Sequence, residues 1–193
     1  MDVFIGTSGW AYAWNEGGNL EWYQSATGFR TVELNASFYR FPFPNQVKSW
    51  AKRGAALRWC VKVHRLLTHR YRFNENAIAA WPRFSELYAP LDPKIDFFLF
   101  QAPPNLSDVQ RLQNFIAALR IGERFALELR SKELLGDDAV CRTLQESATL
   151  VSVDSPDFEE RIFPGNTVYL RIHGRGTWYD YDYSREELTR IAD

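Results

Sequence analysis

Four pairs of polar residues in this sequence stand two positions apart. They are Glu33 with Asn35, Lys62 with His64, Glu128 with Arg130, and Arg171 with His173. Asp154 adds a further carboxylate. In an extended chain, side chains alternate between faces, so residues two apart share one. Placed together, these groups bring carboxylates, permanent cations and imidazoles into a small space. Carboxylates can act as general bases, an imidazole as acid or orienting group, and cations can offset charge developing on an anion. Burying so much charge is costly unless it pairs. One reading is therefore a self-neutralising ion-pair layer, and the other is a polar site whose cations answer to a ligand.

Each polar pair ends a short β-branched or aromatic run. The runs are VFIGTSGW from Val3, TVELN from Thr31, RWCVKVH from Arg58, DFFLFQAPP from Asp96, RFALELR from Arg124, TLVSVD from Thr149 and TVYLRIHG from Thr167. Stretches of helical period separate most of them. Val109, Leu112, Phe115, Ile116 and Leu119 form one apolar stripe, with Ser107 and Gln110 as its expected capping box. Val47, Trp50 and Ala51 follow the Pro42 and Pro44 turn, Ala77 to Leu91 is interrupted by Pro82, and Ser184 with Glu187 caps the last helix. Strands alternating with helices imply a parallel sheet. The first strand-to-helix turn reads GTSGW, without the spacing of a dinucleotide-binding fingerprint, which favours a barrel over an open doubly-wound sheet. The expectation is an α/β fold of TIM type, a single (β/α) barrel domain over residues 1–193. Seven units are legible and the eighth βα unit is not, so the barrel is expected to be C-terminally incomplete. Such barrels carry their sites where the strands end. The charges concentrate there, while Phe98, Leu99, Phe125 and Leu127 lie earlier in their strands. This position favours the ligand site over the plug.

Lys62, Arg130 and Arg171, with Arg175 beside them, point to a phosphate or carboxylate, and the HGRG turn from His173 supplies glycines that allow close backbone approach. A metal held by His64, His69, His173, Glu33, Glu128 and Asp154 is not favoured, because no histidines stand at a ligand spacing and the cations compete for the same carboxylates. Glu33, Glu128 and Asp154 could flank a glycosidic bond, but the fourth and seventh strands end without an acid. No GxSxG elbow is present, and Cys60 lies deeper in its strand than Lys62. Trp10, Tyr12, Trp14, Phe38, Tyr39, Trp178, Tyr179 and Tyr181 could stack on sugars or bases, or simply pack loops. The net charge of −1 gives no global basic field, so any nucleic-acid contact needs a local patch. Two cysteines without metal or CxxC spacing, no signal-like leader and no spanning apolar run lead to the expectation of a cytoplasmic protein that does not enter membranes.

The motifs IGTSGWAY, TVELNASFYRFP, CVKVHRLLTH, FLFQAPP, ALELR, VSVD and YLRIHGRG, in this order over nearly the whole chain, resemble the YecE-like family, domain of unknown function seventy-two. The resemblance implies a TIM-type barrel loosely similar to sugar-phosphate isomerases and apurinic-site endonucleases. It extends the candidate site to Trp10, Asn35, Ser37, Tyr39, His69, Gln101 and Gly174, beside Glu33, Lys62, Glu128, Arg130, Asp154, Arg171 and His173. ALELRSKE carries Ser131 where many relatives have a histidine, and the aromatic-asparagine strand that ends the family is not found here. The functional expectation is a hydrolase or lyase acting on an anionic, phosphate-bearing substrate such as a nucleotide, sugar phosphate or nucleic-acid end. Glu33 or Glu128 would be its base, Asp154 a further catalytic carboxylate, His173 its acid or orienting group, and Lys62, Arg130 and Arg171 its anion holders. Arg171→Ala is expected to weaken phosphate binding and spare the fold. The alternative is a non-catalytic module binding nucleic acid or a nucleotide, distinguished by a steep fall of affinity with salt. The sequence leaves the cofactor open, with a metal possible but not favoured.

Overall fold

In the computed structural model, which describes residues 2–192, the seven runs all become strands. Six parallel strands form one sheet in chain order: β1 (Gly6–Thr7), β2 (Thr31–Leu34), β3 (Arg58–Lys62), β4 (Ile95–Gln101), β5 (Phe125–Glu128) and β6 (Thr149–Leu150). The sixth run breaks after Leu150 and resumes as β7 (Ser152–Ser155), which pairs in parallel with β9 (Leu170–Ile172). Between them, β8 (Phe158–Arg161) folds back antiparallel on β7, a hairpin the sequence pattern did not announce. Val151 N–H still donates to Leu127 O, so β5 leads into this second sheet without a gap in the backbone bonding. The expected sequential parallel order is present. The sheet is not closed, because among the described residues no backbone pairing joins β1 to β9.

The helices are α1 (Leu20–Ala26), α2 (Pro44–Arg53), α3 (Glu75–Glu86), α4 (Val109–Leu119), α5 (Lys132–Gly136), α6 (Asp138–Gln145) and α7 (Arg185–Ala192). Their starts follow local chemistry. Asn74 accepts from the N–H groups of Asn76 and Ala77 to begin α3, and Ser184 and Glu187 exchange bonds before α7 as expected. The cap of α4 is Asp108, which accepts from Arg111 N–H, rather than the expected Ser107. Ser131 starts α5 by accepting from Leu134 N–H, a capping role.

Register separates the two faces of the sheet. Leu34 pairs with Val61, Val61 with Phe98, and Phe98 with Phe125, giving an apolar outer face. Against it pack Trp81 of α3 and Phe115 of α4, with Phe100 stacked on Phe125 at 4.0 Å between centroids. Glu33 pairs with Cys60, Lys62 with Leu99, Gln101 with Glu128, and Val153 with Arg171, so the inner face is polar toward the strand ends. One side of each strand thus makes the core, and the other is free to carry chemistry.

Candidate active site at the strand ends

Arg171 is the hub of the inner face. Its Nε donates to Glu33 Oε2 at 2.9 Å and its Nη2 to Glu33 Oε1 at 2.8 Å, a bidentate pair. Its Nη1 donates to Glu128 Oε2 at 2.6 Å. All three side chains are buried. The remaining carboxylate positions are filled too. Glu33 accepts from Tyr169 OH at 2.8 Å and Ser8 Oγ at 3.2 Å. Glu128 accepts from Gln101 Nε2 at 2.9 Å, His173 Nε2 at 3.0 Å and Arg130 Nη2 at 2.7 Å. Burial opposes ionisation of Glu128, but Arg171, the His173 bond and Arg130 together hold it well below the usual carboxylate range. Neither carboxylate has a vacant lone pair aimed at solvent, so the expected base role of Glu33 or Glu128 meets carboxylates already occupied as ligands of arginine. Arg171, expected to hold an anion, spends three of its five N–H donors on the same two groups.

The two other cations differ. Arg130 donates from Nη2 to Glu128, while its Nε is sealed from solvent without a partner. Its guanidinium lies over the Trp178 ring at 4.8 Å. A small open cleft adjoins it, bounded by His173, Trp178, Val153, Phe158 and Lys132. Lys62 is 6% exposed and ends β3 on the inner face. Its ammonium sits 4.5 Å from the centroid of Phe38, and no described carboxylate comes within ion-pairing distance. Burial, with Arg171 as the next contribution, lowers the Lys62 pKa to about 8. Burial likewise lowers the pKa of His173, against the opposing effect of its contact with Glu128.

Several expected residues stand elsewhere. Asp154 pairs in register with Ile172, not Arg171, and so faces the opposite side of the sheet. There it accepts from Arg175 at 3.0 Å, Tyr183 OH at 2.6 Å and Glu160 N–H at 2.8 Å, which removes it from the inner carboxylates. Arg175 also reaches Glu160 and Glu187. Gly174 does not offer its N–H to a ligand, since that group donates to Tyr183 OH at 3.0 Å. Glycine is required because φ is +93° and a Cβ would stand 2.5 Å from Thr177 O. Trp10 packs edge-on against Trp50 and Trp59. Tyr39 is 61% exposed beside Phe38. His64 stacks on Phe41, and His69 lies edge-on to Phe38, its pKa lowered by burial and by Lys62. Asn35 begins a short 3-10 turn immediately after β2 and keeps a buried Oδ1 without a partner. Ser37 Oγ lies 2.6 Å from Lys62 O, tying that turn to the end of β3. No three histidine, cysteine or acidic residues converge as a metal-ligand set among the described residues.

One important participant escaped the sequence reading. Tyr169 is half-buried between Phe97, on which it stacks at 5.2 Å, and the pair Glu33 and Cys60. Its position two residues before Arg171 was the available signal. Burial pushes the Cys60 thiol well up, consistent with its place deep in the strand.

A parallel α/β sheet with an apolar outer face and a charge cluster where its strands end defines the class of this molecule. The chain belongs to the family described as protein of unknown function DUF72, which it matches over residues 4–193. Its fold is similar to that of a family member from Enterococcus faecalis, with 23% identity, a TM-score of 0.75, and coverage of 98% of this chain and 82% of that one. A family member from Thermotoga maritima gives 24% identity, a TM-score of 0.77, and coverage of 97% and 84%. No curated protein matches it significantly. Among the described residues, no helix is long and apolar enough to cross a membrane.

Proposed function

We propose that this protein is an enzyme, a hydrolase or lyase that acts on a small anionic, phosphate-bearing substrate at the strand ends of an opened TIM-type barrel. The barrel reading is supported by the sequential parallel order and by side chains that cross the interior. Tyr169 and Arg171 of the β9 region reach Glu33 of β2, joining parts of the sheet that no backbone pair connects. The functional reading rests on one observation above all. Arg130 shares a single carboxylate, Glu128, which is already saturated with donors, and its partly exposed guanidinium borders an open cleft. A structural plug would give each cation a carboxylate of its own, and Arg130 has none.

In this reading Arg171 is scaffold. Arg130 takes the anion, and Lys62 and His173 are the groups able to move a proton near neutral pH. Calorimetry with inorganic phosphate tests it. Binding is expected for the unaltered protein and a loss of at least tenfold in affinity for Arg130→Gln. No binding by the folded protein returns the cluster to an ion-pair layer. Binding of single-stranded nucleic acid with a steep salt dependence, and of phosphate not at all, supports the binding module instead.

A further inference from the structure

We propose that Lys62 is a nucleophilic amine that captures a carbonyl compound bearing a phosphate or carboxylate as an imine. The inference rests on the anionic-substrate reading and adds the chemical class of the substrate's reacting group. Its geometric basis is a contrast within one cluster. Glu33 and Glu128 each bind Arg171, and their other lone pairs go to Tyr169, Ser8, Gln101, His173 and Arg130. The lysine is left with an aromatic face for a neighbour and without a carboxylate. Lys62 is 6% exposed, and its amine is not among the polar atoms sealed from solvent without a partner. The titratable and charged groups around it are Arg171 from β9, Glu33 from β2, Glu128 and Arg130 from β5 and the residues after it, and His69 from the helical turn after β3.

An ion-pair layer would place this ammonium on a carboxylate. Here burial above all, then the charge of Arg171 and more weakly that of Arg130, oppose protonation and outweigh the pull of Glu33 and Glu128. A lysine so placed holds a usable fraction of free amine near neutral pH, which nucleophilic attack on a carbonyl requires. The step balances as follows. The nitrogen lone pair forms a bond to the carbonyl carbon, and the carbonyl π pair moves to oxygen. The carbinolamine then expels that oxygen as water. The C=N bond replaces C=O, and the two amine protons are, in net, those of the water released. Arg130, close enough for its charge to bear on Lys62, is the cation assigned to the substrate's anion.

The test uses pyridoxal 5′-phosphate, an aldehyde that carries a phosphate, with borohydride to add hydride to the imine carbon and fix the adduct as a secondary amine. The other lysines, Lys48, Lys52, Lys94 and Lys132, are all exposed, so peptide mapping separates site from surface labelling. The expected result is preferential labelling of Lys62, several-fold stronger at pH 8 than at pH 6, suppressed by inorganic phosphate and weaker with unphosphorylated pyridoxal. Lys62→Arg abolishes that adduct while phosphate binding by calorimetry persists. Label confined to the exposed lysines, in a protein that binds phosphate, overturns the imine and leaves the anion site standing. Absence of both phosphate binding and Lys62 labelling overturns both. The peptide map of the unaltered protein decides the matter even if Lys62→Arg fails to fold.

Discussion

Two arginines four residues apart, Arg171 and Arg175, organise two charge networks on opposite faces of the same strand end. Arg171 points inward and joins Glu33, from β2, to Glu128, from β5. Arg175 points outward and joins Asp154 of β7 to Glu160 of the β8 hairpin and Glu187 of α7. In the inner network both carboxylates are buried, whereas Glu160 is 40% exposed and Glu187 is 18% exposed in the outer one. The same residue type therefore does different work. Inside, an arginine makes a dry charge layer possible and fixes the groups around a pocket. Outside, an arginine holds one buried carboxylate, Asp154, and from it reaches a hairpin and a C-terminal helix through partly screened contacts, which contribute less.

Removing the inner hub is the largest perturbation. Arg171→Met leaves Glu33 and Glu128 buried with their strongest partner gone, a loss of about 3–5 kcal/mol. The expectation from sequence, that Arg171→Ala would spare the fold, is reversed by these contacts. The pH dependence carries a sign. Glu128 is held below its unfolded pKa, so its contribution is present above about pH 4.3 and is lost as pH falls through the lower folded value. The cost of Arg171→Met in urea melts should therefore be greatest at neutral pH and shrink on acidification. A cost that does not change with pH would mean that Glu128 gains nothing from Arg171.

Lys62 gives the opposite sign. Its pKa near 8, against 10.5 for an ordinary lysine, means the folded state resists the protonated form by about 3 kcal/mol. Lys62→Met should raise stability by an amount of that order below pH 8. The gain should fade between about pH 8 and 10.5, where the native lysine is neutral and the unfolded one still binds its proton. A residue that costs stability where it stands is the pattern of a functional group. Equal or lower stability for Lys62→Met at pH 7 would show that the ammonium is compensated after all.

Gly174→Ala probes the turn between the two networks. With φ at +93° and Thr177 O in the way of a Cβ, a loss of about 1–3 kcal/mol is expected in thermal or urea melts. A neutral effect would mean that the turn is free to rearrange and does not fix His173 and Arg175 on their separate faces.

The sequence made the strands and their inner charges legible because alternation is strict in regular strands. Glu33, Lys62, Glu128, Arg130, Arg171 and His173 all follow it. Asp154 did not fit, although the signal was available: Leu150 belongs to the apolar outer face, and Asp154 has the same parity as Leu150. Reading it by its position at a strand end alone placed it inside. The pairing that decides which cation is spent was beyond the sequence, because Glu33 and Arg171 are 138 residues apart and meet across the sheet. The β8 hairpin was missed since FEER alternates poorly and follows a turn with little glycine. The HGRG turn looked like a ligand cradle, but Tyr183 takes its N–H and Arg175 leaves for the outer face.

The smallest expected effect is at Arg175. Replacing it by glutamine breaks its contacts to Asp154, Glu160 and Glu187, yet Asp154 keeps Tyr183 OH and Glu160 N–H. The damage should be local. Ser184 and Glu187 still cap α7, and Tyr181 OH still reaches Glu187 at 2.7 Å, so the helix persists but is held less firmly. Hydrogen exchange in Arg175→Gln should rise in the β8 hairpin and in α7, while the amides of β2 and β5, whose ends carry Glu33 and Glu128, keep their protection. Phosphate binding should be unchanged, because Arg130 lies on the other face. Loss of protection in β2 and β5 would show that the two networks form one cooperative unit through β9. The division between a scaffold of the site and a clasp of the periphery would then fail.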